Sequence, residues 1–78
     1  MFFSKLIAGS VESWKVVAGW IAIKKTDGNL YLREAQEDAE SQLVNISGSI
    51  ELYELTDKVL TIKTTDGNLF IVNLKAGE

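Results

Sequence analysis

Apolar and polar residues alternate along most of this chain with a period of two, the spacing of a strand that buries one face. Ile7, Gly9 and Val11 fall on one side of a first predicted strand, with Ser10, Glu12 and Trp14 on the other. A second strand sets Ile21 and Ile23 against Trp20, Ala22 and Lys24. A third sets Leu30 and Leu32 against Tyr31 and Arg33. The later half of the chain repeats the division, with Ile46, Ile50, Leu60, Ile62, Leu69 and Ile71 on the side expected to face inward.

That repetition is also one of sequence. Shifting the chain by 39 positions aligns residues 7–32 with 46–71 and gives 11 identities in 26 positions, among them the block Thr26–Leu30 with Thr65–Leu69. Val11 with Ile50, Trp14 with Tyr53, Ile21 with Leu60, Tyr31 with Phe70 and Leu32 with Ile71 are conservative pairs. A period of this length marks one supersecondary unit used twice.

The turns suggest a register. Asp27-Gly28 and Asp66-Gly67 are hairpin signals, because a two-residue type I′ loop needs positive φ at both positions. Such loops predict Ile23 opposite Leu32 and Ile62 opposite Ile71. Five-residue connections over 15–19 and 54–58 pair Trp14 with Trp20, which sets Val11 across from Ile23 and Ile50 across from Ile62. Gly9 and Gly48 are then mid-strand, where a glycine permits a bulge or bend.

One three-stranded sheet cannot stand alone, so the two apolar faces are expected to pack together about a pseudo-two-fold axis. The predicted fold is all-β: a small antiparallel six-stranded barrel or sandwich made of two tandem three-stranded repeats. Repeat 1 covers 1–33, a polar acidic linker 34–41, and repeat 2 covers 42–78, all within one domain. The linker is a loop or one to two helical turns, and Gly77 and Glu78 are a short frayed end. A ring between chains, three copies giving six blade-like units, is the rival assembly. Propeller blades usually have four strands, so the intramolecular barrel is preferred. The order Gly9-x-Val11, Ile21-x-Ile23 and Asp27-Gly28, with its counterpart in the second half, distantly resembles SH3-like modules, and this resemblance too implies a small barrel.

Composition narrows the chemistry. The 78 residues contain neither cysteine nor histidine, which removes disulfides, thiol nucleophiles, thiolate metal sites and imidazole acid–base catalysis. No phosphate-cradling glycine loop occurs, and Ser10 and Ser49 have no histidine to activate them, so no enzyme is expected. The tips Asp27-Gly28-Asn29 and Asp66-Gly67-Asn68 lack the spaced oxygens of a calcium loop, and Glu34, Glu37, Asp38 and Glu40 read as a solvated run; neither a metal nor a cofactor is predicted. The longest apolar run, 16–23, is far short of the roughly 20 residues a membrane helix needs. Ser4 and Lys5 interrupt the apolar start, so a cytoplasmic location is expected.

Two binding surfaces remain. Phe2, Phe3, Trp14, Trp20 and Tyr53 form a candidate protein interface, since aromatic residues are enriched in such contacts and a core this small gains from association. The expected partner is a second copy or another protein. Lys24, Tyr31, Arg33, Lys63 and Phe70, with Trp20 and Lys25, form a candidate single-stranded nucleic-acid surface. A net charge of −3 and a pI near 4.8 disfavour that partner. Trp14, Trp20 and Tyr53 stacking on sugar rings is a third reading. On the polar side, Ser10 is expected beside Lys24, Glu12 diagonal to it and Tyr31 opposite it, with Ser49, Lys63, Glu51 and Phe70 repeating the pattern. Cross-strand decoration of this kind is common on sheet surfaces.

Overall fold

The hairpins organise everything else. In a computed structural model that describes residues 2–36, 38–46 and 48–74, the strands are β1 (Val11–Val17), β2 (Trp20–Lys25), β3 (Leu30–Glu34), β4 (Gln42–Leu43), β5 (Ile50–Leu55), β6 (Val59–Thr64) and β7 (Leu69–Asn73). They form two antiparallel sheets, ordered β1-β2-β3-β4 and β5-β6-β7, that do not close into a barrel. Among the described residues there is no helix, and hence none long and apolar enough to cross a membrane. The linker's alternative of helical turns is therefore not realised among its described residues; the two residues that follow it supply β4, which pairs Gln42 with Leu32. Gly77 and Glu78, the expected frayed end, and Glu37 of the linker lie outside the described residues.

Both Asp-Gly hairpins differ from expectation by one residue. Lys25 N donates to Asn29 O at 3.0 Å and Gly28 N to Lys25 O at 3.0 Å; Thr64 N to Asn68 O (2.9 Å) and Gly67 N to Thr64 O (3.1 Å) are their counterparts. The loops are thus three residues long. Only the glycine is left-handed, with φ 89° at Gly28 and 94° at Gly67, the usual arrangement for a three-residue hairpin loop. Ile23 consequently faces Tyr31, not Leu32, and Ile62 faces Phe70, not Ile71. Because side chains alternate, this slip turns β3 and β7 over. Leu69 and Ile71, expected inside, lie in solvent, while Phe70 and Val72 pack against the core.

The first connections are shorter than predicted. Val17 pairs with Trp20 across Ala18 (φ 50°) and Gly19 (φ 85°), a loop with both positions left-handed. In the second sheet Thr56 N bonds Val59 O at 2.9 Å, and the Thr56 hydroxyl accepts from Val59 N at 3.1 Å. Trp14 therefore pairs with Ile23 and Tyr53 with Ile62, while Val11 faces Lys25 and Ile50 faces Thr64. Residues 7–10 precede the strand instead of forming it. Bulges do occur, though not at Gly9 and Gly48: the extra residues are Glu12 and Glu51. An alanine at positive φ is strained by roughly 1–2 kcal/mol, whereas asparagine tolerates that region and favours this loop. Ala18→Asn is expected to raise stability by about 0.5–1 kcal/mol, read as a higher urea midpoint with an unchanged slope.

At an offset of 39, all ten ladder pairs of the second sheet have counterparts in the first. The packing is not symmetric. From the first sheet, Ala22 and Leu30 are fully buried with Val17, Trp20 and Leu32 beside them. From the second come Tyr53, Leu55, Leu60 and Ile62, flanked by Phe70 and Val72. Ala22 and Leu32 pair directly, so they share a face that does not include Ile21, Ile23 or Trp14. One repeat therefore contributes one of its faces and the other repeat contributes the opposite one. Like faces do not meet, as the expected two-fold packing required.

Candidate functional site

Each sheet is left with an outer face. On the first sheet it carries Val11, Trp14, Val16, Ile21, Ile23 and Tyr31, with Trp14 66% and Val16 57% exposed. Ile23 is nevertheless buried, and Ile21 and Tyr31 half-buried. Ile7, Phe2 and Phe3 of the N-terminal segment line a cavity with Ile21 and Arg33 at one end of this face. On the second sheet the outer face carries Leu52, Leu69 and Ile71, with Leu69 74% and Ile71 68% exposed. Solitary exposed aliphatic residues are ordinary, but grouped ones on a sheet face mark a contact surface.

The five aromatic residues expected at an interface divide. Phe2, Phe3 and Trp14 are exposed. Trp20 packs against the core, and Tyr53 is buried within it, its hydroxyl sharing a 2.8 Å hydrogen bond with Ser13 Oγ across the two sheets. The ammonium of Lys15 lies 5.4 Å from the centre of the Tyr53 ring. Tyr53→Phe should remove that bridge without leaving a cavity, for about 0.5–1.5 kcal/mol of lost stability by urea unfolding. The same division separates Trp14, Trp20 and Tyr53 as a sugar platform. Trp20 does line a groove of ≈ 680 Å³ between the outer strands, with Leu32, Glu34, Val44, Val72 and Leu74.

The basic and aromatic set does not form one surface. Arg33 is buried, and its guanidinium donates to the carbonyls of Glu34 (3.1 Å) and Gln36. Phe70 lies on the inner face of the second sheet. Lys24 is paired with Glu12 at 3.1 Å and Lys63 with Glu51 at 2.6 Å, so each bulge residue neutralises the lysine on its neighbouring strand. Tyr31 sits opposite Ile23, not Lys24, and its ring is covered by the ammonium of Lys25 at 4.8 Å. Charge needed for phosphate is thus dispersed over different faces or already matched.

Among the described residues no three carboxylates or other metal-ligating side chains converge. Among the described residues only Asp66 has a displaced pKa, lowered chiefly because the Thr64 hydroxyl donates to its carboxylate, with burial opposing and backbone bonds assisting. Thr64 is itself fully buried and also accepts from Asn68 N at 3.2 Å. This carboxylate organises its own turn.

Val16, Leu52, Leu69 and Ile71 are the exposed residues that sequence reasoning missed. Reading the Asp-Gly tips as three-residue loops would have put Leu69 and Ile71 on the face opposite to that of Ile62, as Leu30 and Leu32 lie opposite to that of Ile23, but would not have told which of those faces is covered. Comparison of the chain with protein families, characterised proteins and solved structures finds no match.

Proposed function

We propose that this protein is a non-catalytic assembly module that associates through the outer faces of its two sheets. The observation that carries the reading is the grouping of exposed apolar side chains on both faces: Trp14 and Val16 on the first, Leu52, Leu69 and Ile71 on the second. With a core of only eight buried apolar side chains among the described residues, a domain of this size gains stability by covering such faces. Apolar contact also suits an acidic chain whose two principal ion pairs are already internal.

Sedimentation velocity over a wide concentration range tests it. Mass should rise with concentration and the association should persist, or strengthen, in sulfate, which favours apolar burial. A monomer at every concentration would sink the reading. Association that vanishes with moderate salt would point instead to charge-driven contacts.

A further inference from the structure

Resting on that reading, we infer that the partner is a second copy of this chain, and that copies join head to tail. The outer face of the second sheet in one copy docks on the outer face of the first sheet in the next. This contact repeats between chains the one that already holds the two sheets together within a chain.

The argument comes from the 39-residue offset. Inside the chain, the first sheet offers Ala22, Leu30 and Leu32 to the second. Their equivalents Thr61, Leu69 and Ile71 occupy the outer face of the second sheet, where Leu69 and Ile71 are exposed and Thr61 is half-buried. Conversely, the second sheet offers Tyr53, Leu55 and Ile62 to the core. Their equivalents Trp14, Val16 and Ile23 occupy the outer face of the first sheet. Each chain thus buries one member of each pair of equivalent faces and leaves part of the other exposed: Trp14 and Val16 on the first sheet, where Ile23 is itself buried, and Leu52, Leu69 and Ile71 on the second. The two open faces differ from one another, so joining them makes a heterologous contact.

One pair of positions has changed in concert. Ser13 and Tyr53, which share a hydrogen bond within the chain, correspond to Leu52 and Trp14 on the open faces. A polar pair is replaced by an apolar pair, 59% and 66% exposed, and a contact between chains would bring these two together. Neither Leu52 nor Trp14 carries a hydroxyl, so this pair suits an apolar contact. Phe2 and Phe3, beside the same outer face, extend the surface.

The geometry further points to closure. β1 and β5 approach each other most closely, whereas the groove lined by Trp20, Leu32 and Val72 opens between the strands at the other side. The two sheets therefore form a wedge with its narrow side along β1 and β5. Wedges repeated in one sense turn about an axis beside their narrow side, the curvature that a closed ring requires of a heterologous contact.

Two exposed substitutions test this, each placing a lysine on one face: Trp14→Lys on the first sheet and Ile71→Lys on the second. Both add positive charge, so the altered faces cannot attract one another. Val16→Lys and Leu69→Lys provide a second lesion on each face, and far-UV circular dichroism checks that every variant is folded. Wild type should reach a fixed multiple of the monomer mass by light scattering. Each variant alone should lose all concentration dependence, and an equimolar mixture of the two should give a dimer and nothing larger, because one intact pair of faces remains. Variants that still assemble alone would overturn the head-to-tail arrangement while leaving assembly itself intact, as would a mixture that stays monomeric. A wild type whose mass grows without limit would overturn the ring. A wild type that never associates would defeat the proposed function as well.

Discussion

Leu30→Ala is expected to cost about 2–5 kcal/mol of folding stability, while Leu69→Ala should change it by no more than about 0.5 kcal/mol. The two leucines end the same five-residue block, Thr-Asp-Gly-Asn-Leu, and follow hairpin loops of the same length. Leu30 is fully buried between the sheets, where truncation leaves a cavity that neighbouring Ala22 and Leu60 can fill only in part. Leu69 stands on the outer face of the second sheet. Urea unfolding at a concentration where the chain is monomeric measures both, with wild-type slope confirming that the denatured state is unchanged. Total stability of a small domain is itself only several kcal/mol, so Leu30→Ala should be close to unfolded at ambient temperature. Equal effects at the two positions would mean that the sheets pack by like faces, contrary to the arrangement described above.

Thr64→Val should cost about 1–3 kcal/mol and should also reduce the protein's sensitivity to acid. Valine matches threonine in shape but lacks the hydroxyl, so no cavity accompanies the loss. The buried hydroxyl donates to Asp66 and accepts from Asn68 N, and both partners are left to water or to each other. The sign of the acid effect follows from the direction of the Asp66 shift. A carboxyl whose folded pKa is lowered contributes stability that is fully present above its unfolded pKa, roughly 3.9, and is lost as pH falls through the lower folded value. Wild type should therefore lose more stability than Thr64→Val between neutral and strongly acidic solution. Parallel curves for the two proteins would show that the Thr64 hydroxyl does not set the Asp66 acidity. The first repeat offers an internal contrast, since Lys25 replaces Thr64 there and Asp27 accepts from Asn29 N at 2.9 Å; its turn is stabilised without a buried hydroxyl.

The candidate interface was legible only in part. Phe2 and Phe3 are exposed ahead of the first strand, and Trp14 is exposed although it shares the face of Ile21 and Ile23 from which the alternating pattern had separated it. The burial of Trp20 and Tyr53 could not be read, since which face of each repeat enters the core is decided by the other repeat. Arg33 was a plausible phosphate ligand by type. Its burial arises from the path of the chain after β3, which brings the carbonyls of Glu34 and Gln36 within reach of the guanidinium.

By itself the sequence determined that the chain is all-β, that segments 7–32 and 46–71 share one residue pattern, and that an Asp-Gly tip follows the strands Trp20–Lys25 and Val59–Thr64. These features are local: side-chain periodicity and the left-handed tolerance of glycine act over a few residues, whatever lies elsewhere. Only the tertiary structure decided the register and the choice of faces. One additional loop residue reverses every side chain beyond it, and Glu12 and Glu51 restore parity through bulges that no short-range pattern announces. With both faces of each repeat partly apolar, the energy of burial could be gained by either pairing. The fit between Ala22, Leu30 and Leu32 on one side and Tyr53, Leu55 and Ile62 on the other selected the one that leaves Trp14 and Val16 exposed on one sheet and Leu52, Leu69 and Ile71 on the other.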